Sequence, residues 1–232
     1  DMGPSLRQRG RDVADIIKAK FPVSAKLAGI AVAVALILGI PMGCLSAFNR
    51  GKFLDNFIIV LATCGIAIPS FISSVILLYT FGSKLNILPT IGLNEMKAYI
   101  MPVTALAIYP TAYITRLMRS SLLDVMGQDY IRTAKAKGLS GLGLILRHAL
   151  GNALIPVMTV IGLGLGNLLG GMVLVETIFK WPGVGQFAYE SVMAADYPAI
   201  IGVALLIALN YMIINTVVDI LYGIIDPRVR CS

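Results

Sequence analysis

The sequence predicts an all-α polytopic membrane protein with five transmembrane helices, and three observations point there. Hydrophobic residues make up 57% of the chain and charged residues 13%, with a mean hydropathy of +0.85, whereas soluble domains carry about 25% charged residues. Five continuous apolar stretches reach the ~20 residues needed to cross about 30 Å of hydrocarbon. Runs such as "LAGIAVAVALILGI" also lack the alternating segments of about ten residues that mark a membrane β-barrel.

The elements follow in order. Residues 1–23 are polar, with Arg7, Arg9, Arg11, Lys18 and Lys20 beside Asp12 and Asp15. They contain neither a signal peptide nor an initiating hydrophobic run. The expectation is therefore a chain that starts partway through a longer protein, or a short variant. The expected spans are 24–48, 53–82, 99–118, 153–178 and 197–225. Pro41, Pro69, Pro102, Pro110 and Pro156 lie in or at the ends of these spans, where proline frees backbone groups and kinks are expected. In the fourth span, Gly162, Gly166 and Gly170 recur every four residues, one helical stripe on which a neighbouring helix can pack closely. The same run, "GLGLGNLLGG", does not have the spacing of a nucleotide-binding loop and follows no strand.

Charge orients the spans. If residues 49–52 face the cytoplasm, so do residues 119–150, with the loop 124–150, and the C-terminus; that side then collects Arg50, Lys52, Arg116, Arg119, Arg132, Lys135, Lys137, Arg147, Arg228 and Arg230. The basic residues of the opposite loops, 83–98 and 179–196, are few, Lys84, Lys97 and Lys180, in keeping with the positive-inside rule. Residues 1–23 break that rule and are expected to form a folded extracytoplasmic segment. Its arginines would pair either with Asp12, Asp15 and lipid headgroups or with acids on a docked protein. Glu176 and Asp219 fall near opposite boundaries and read as interfacial, with no partner at a spacing that makes a proton relay.

Several functions are excluded. Cys44, Cys64 and Cys231 form no CxxC pair, and His148 stands alone as a surface or interface residue, so neither a disulfide framework nor a metal site is indicated. A net charge of +7 in such a chain points to orientation and anionic lipid rather than nucleic acid. No Ser/His/Asp set, HExxH or GxxxxGK[ST] occurs. The chain thus offers no catalytic residue and no cofactor site, and any ATP it uses is hydrolysed by another chain. Ser70, Ser73, Asn167 and Asn210 are weak candidates for lining a substrate pathway. A stand-alone channel would need a repeated pore-lining ring, and an intramembrane enzyme would need convergent polar groups at one depth.

The stretch "DYIRTAKAKGLSGLGLILRHALGNALIPV" is basic and helix-prone between two spans. Asp129 is a good N-cap, residues 130–137 are strong helix formers, and Gly138 suits the position after a helix where φ is positive. Ser140 would cap a second helix running through Leu146. Ala134 and Ala136 leave room for another backbone. The pattern reads as a helix, tight turn, helix unit against the membrane.

This stretch resembles the EAA loop of ABC importer permeases: Glu-Ala-Ala, three residues, Gly, nine residues, Ile, one residue, Leu-Pro. The pattern falls on Arg132, Thr133, Ala134, Gly138, His148, Leu150 and Gly151, of which Ala134, Gly138 and Leu150 keep the general consensus. The departures are similar to the peptide and nickel permease group. So are "IPSFISSVILLYTFGSKLNILPTIG", "VETIFKWPGVGQ", "ADYP" and "LYGIIDPRVR", while the opening segment is most similar to B-type oligopeptide permeases. The resemblance implies six spans, the first missing here, in a multi-pass protein of a prokaryotic plasma membrane. It implies an extracytoplasmic substrate-binding protein, a homologous second permease subunit and two ATPase subunits holding Mg-ATP. The implied substrates are oligopeptides, with dipeptides, nickel chelates or sugars as alternatives. Residues 129–146 become the coupling helix, with Asp129, Tyr130, Arg132, Ala134, Lys135, Lys137, Gly138 and Leu139 as the ATPase-coupling residues.

Overall fold

Val13, Ile16 and Ile17 are three and four residues apart, one face of a helix, and they open α1 (Val13–Phe48). The computed structural model, which describes residues 2–8, 10–90, 96–139 and 141–225, buries all three with Val184, Phe187, Ala199 and Val203. Residues 13–23 are therefore helix continuous with the first expected span and not a separate element. Asp15 and Lys18 on the exposed face hide that continuation from a hydropathy reading. At 1.5 Å per residue, α1 is about 54 Å long, well beyond the thickness of the hydrocarbon layer.

A turn containing Gly51, at φ +76°, leads into α2 (Phe53–Ala67). The expected span 53–82 is not one helix: α2 meets α3 (Ser70–Leu77) and its π-helical extension Leu78–Lys84 at 99°. Pro69 is the cause. Its extended backbone, φ −60° and ψ 145°, ends one helix, because a proline disfavours helical geometry in the residue before it. Its carbonyl then accepts the N–H of Ile72 and Ser73, starting the next. A single 3-10 turn, Met96–Tyr99, precedes α4 (Ile100–Met126). Then come α5 (Asp129–Ala136), the one-turn α6 (Gly141–Leu144), a π-helical turn Ile145–Ala149, α7 (Leu150–Ile178), α8 (Val184–Met193) and α9 (Tyr197–Ile225). Among the described residues, α1 and the Tyr197–Val217 part of α9 are each long and apolar enough to cross a bilayer. The bent α2–α3 pair makes a third if counted as one span.

The chain forms two compact units. One comprises Asp1–Ala33, Ile68–Ile108 and Gly164–Ile214; the other comprises Val34–Ala67, Tyr109–Leu163 and Asn215–Ser232. In the first, Asp196 precedes α9 and ties down the N-terminal segment. Ser5 Oγ donates to its carboxylate at 2.5 Å and the Arg7 amide at 3.2 Å, while the Ala199 amide reaches it at 3.4 Å. Burial works against the charge of Asp196, but the bonds from Ser5, the Leu6, Arg7 and Ala199 amides outweigh it and hold its pKa below the usual carboxylate value. Arg7 pairs with Glu190 at 2.8 Å, not with Asp12 or Asp15.

In the second unit two helices touch through glycine. A Cβ at Gly43 would lie 2.6 Å from the Met118 Cβ and 2.7 Å from the Thr115 carbonyl oxygen, and one at Gly39 would lie 3.0 Å from the Thr111 carbonyl oxygen. These residues bring α1 against α4 nearly backbone to backbone, the device by which apolar helices gain contact without a hydrophobic driving force. Gly43→Leu is expected to destabilise the fold by roughly 1–3 kcal/mol through overpacking. Gly29→Ala, in open space on the same helix, is expected to be neutral or stabilising by up to about 1 kcal/mol. Thermal unfolding of the two variants in detergent checks the contrast.

Candidate coupling site

The helix α5 is bounded by local chemistry at both ends. The Gln128 carbonyl accepts the N–H of Ile131 at 3.1 Å and of Arg132 at 3.3 Å, so Gln128 is the N-cap residue. Asp129, expected there, is instead the first helical residue. Its carboxylate still complements the positive end of the helix, and it lies 3.6 Å from Arg132 with both side chains exposed. At the other end Gly138 takes φ +88°, and the Leu139 N–H donates to the Ala134 carbonyl at 3.2 Å. That six-to-one bond across a left-handed glycine is a Schellman turn. It also folds Leu139 back beside the buried cluster that contains Ala134.

The two faces of α5 differ. Ile131 and Ala134, three residues apart, are buried in a core with Met118, Leu122, Leu144, Ala149, Ala153 and Val157. Asn152 Nδ2 donates to the Tyr130 hydroxyl at 2.8 Å, a second tie to α7. Arg132, Thr133, Ala136, Lys137 and Gly138 are exposed, and Tyr130 is 42% exposed. Ala134, expected to admit a foreign backbone, instead lets α5 lie close on its own chain; of the two alanines only Ala136 faces outward. The surroundings of Lys135 and all of Ser140 lie outside the described residues. The second helix does not end at Leu146: α6 runs through the π-helical turn into α7.

Sequence reasoning misses three buried carboxylates: Asp196 before α9, Asp55 and Glu176. Asp55, 1% exposed, accepts Ser46 Oγ at 2.5 Å, the Gly51 N–H at 2.9 Å, and Arg119 Nε and Nη2 at 2.7 Å each. The sequence marks Arg119 only as a positive-inside charge. Glu176, read as interfacial, is fully buried. Ser24 Oγ donates to it at 2.5 Å and the Gln186 amide at 3.1 Å, while the Val184 N–H donates to Ser24 Oγ at 2.8 Å. Together they cap the start of α8, and a Cβ on Gly183 would collide with Glu176 and Ser24. The only available signal was a lone acid inside an apolar run.

Of the pathway candidates, Ser70, Ser73 and Asn210 fall in the first unit. Asn210 lines an apolar cavity of about 220 Å³ with Ser24, Phe21, Met172 and Leu206. Ser70 lies by Gly171, and Ser73 is buried with its hydroxyl toward the Pro69 carbonyl. Gly162 is buried on α7; the surroundings of Gly166, Gly170, Asn167 and Asp219 lie outside the described residues.

The asymmetry of α5 gives a direct test. Ile131→Ala removes a fully buried side chain and is expected to cost roughly 2–4 kcal/mol, whereas Tyr130→Phe removes one partly exposed hydrogen bond worth about 1 kcal/mol. Hydrogen exchange of the α5 amides should rise far more in the first variant than in the second.

Known proteins share this chain's sequence pattern and fold. Residues 39–230 match the family described as binding-protein-dependent transport system inner membrane component. The chain is 41% identical over 230 residues to the dipeptide transport system permease protein DppB of Bacillus subtilis, covering 99% of this chain and 75% of that protein. It is 40% identical over 230 residues to the glutathione transport system permease protein GsiC of Escherichia coli strain K12, with the same coverage. Among solved structures it resembles an inward-facing MetNI methionine ABC transporter, with a TM-score of 0.76 at 17% identity over 91% of this chain and 96% of that one. It also resembles an amino acid ABC transporter, at 0.66 and 16% over 93% and 94%. The chain therefore belongs to the family of binding-protein-dependent transport system inner membrane components, the permeases of ABC importers.

Proposed function

We propose that this permease carries short peptides across a prokaryotic inner membrane, with α5 as the helix through which partner ATPase subunits drive it. The observation that carries the coupling reading is the asymmetry of α5: one face is locked into its own chain by Ile131 and Ala134, while Arg132, Thr133 and Lys137 project outward. A helix so held transmits a push rather than absorbing it. Peptide as substrate class is supported by the names of the relatives, which transport dipeptides and glutathione.

In this reading an extracytoplasmic binding protein delivers the peptide, a homologous second permease completes the path, and two ATPase subunits bind Mg-ATP. The work done by this chain is conformational. Contacts that α5 makes better in one ATPase state than in the other shift the permease between its inward-open and outward-open forms, and no ligand can shift that balance by more than this difference. Tyr130 and Gly138 set the position of the helix, and the exposed basic residues meet the partner.

Gly138→Val forces a branched side chain into the left-handed region at a cost of about 1–3 kcal/mol, enough to undo the Schellman turn. The expected outcome in reconstituted complexes is intact assembly and ATP hydrolysis with loss of peptide uptake. Normal uptake by an assembled Gly138→Val complex would count decisively against the coupling role of α5.

A further inference from the structure

The Asp55–Arg119 pair joins three helices. Ser46 comes from the end of α1, the Gly51 amide from the turn after it, Asp55 from the first turn of α2, and Arg119 from α4. All of these groups belong to the same compact unit. Each carboxylate oxygen receives two donors, and the guanidinium engages in a two-point grip that fixes direction as well as distance.

The position of Arg119 along α4 gives this clasp a use. Met118 precedes it and Leu122 follows one turn later, both fully buried in the core that holds Ile131 and Ala134 of α5. On one side α4 grips α5 by apolar packing; at the neighbouring residue it grips the α1–α2 hairpin by charge. The α1 arm of the hairpin already packs on α4 through Gly39 and Gly43, but the α2 arm has little else to hold it: Asp55, Ile58 and Ala62 are its buried residues, while Phe53, Phe57 and Val60 are more than half exposed. Apolar surface facing lipid supplies no net force to keep a helix on its neighbour. A two-point, charge-assisted bond from the partly exposed Arg119 to the buried Asp55 does.

We propose that Asp55–Arg119 is a transmission clasp: it makes α2 move as one body with α4 and α5, so that displacement of α5 by the ATPase reaches α2. Asp55 and Arg119 are positioning residues, acting on transport through α4 and touching neither substrate nor nucleotide. This rests on α5 being the coupling helix.

The test uses the complete transporter, permeases, ATPase subunits and binding protein, reconstituted in proteoliposomes with a labelled dipeptide, and reads peptide imported per ATP hydrolysed. Asp55→Asn and Arg119→Lys are compared with wild type, and Gly138→Val is run alongside. Because removing one member of a buried pair is itself destabilising, assembled complex is quantified first, and Arg119→Lys keeps the charge while losing the two-point grip. The expected result is assembled complex that hydrolyses ATP while peptide per ATP falls about five-fold or more, the low end of typical coupling between sites, with the smaller loss in Arg119→Lys. An unchanged ratio in assembled Asp55→Asn, with Gly138→Val uncoupled, overturns the clasp and leaves the coupling helix standing. An unchanged ratio in all three variants overturns the coupling helix as well. Failure of both clasp variants to assemble makes the pair a scaffold and also overturns the proposal.

Discussion

A carboxylate taken out of water must be given donors for its oxygens, or it does not stay charged there. Three buried acids in this chain gather such donors, and much of the architecture is the set of donors around them. Asp55 draws in the end of α1, the Gly51 turn and α4. Glu176 fixes α8 through Ser24 and the α8 amides. Asp196 fastens residues 5–7 to the start of α9. Each cluster lies where a helix begins; Glu176 and Asp196 also answer first-turn amides of α8 and α9 that have no partner within their own helix.

Between these fixed points the helices are held by small residues. Gly39 and Gly43 let α1 approach α4 to distances that no larger residue permits, and Ala134 lets α5 settle on α4 and α7. Polar anchors set which helices meet, and small side chains set how closely. Such an assembly deforms little inside a unit, which suits a protein whose task is to convey displacement.

What the sequence revealed follows from the range of each interaction. Gly138 was legible because a left-handed turn after a helix is decided within about six residues, and the start of α9 because hydropathy changes abruptly at Tyr197. Pro69 signalled a kink, but the size of the bend depends on where α3 packs. The buried carboxylates were not legible: Asp55 finds Arg119 64 residues away, Glu176 finds Ser24 at 152, and Asp196 finds Ser5 at 191. Ala134 was read on the wrong face because alanine is small enough for either; its spacing from Ile131 was the clue, and it points inward.

The central claim is that α5 turns Ile131 and Ala134 toward its own chain and offers Arg132 and Lys137 to an ATPase. The most direct measurement is maleimide labelling of single cysteines at positions 131, 132 and 137, with the native cysteines replaced by serine, in the permease alone and in the complete transporter. The account predicts fast labelling at 132 and 137 that is suppressed when the ATPase subunits are present, and no labelling at 131 in either state. Equal labelling at 132 and 137 with and without the ATPase subunits would contradict it.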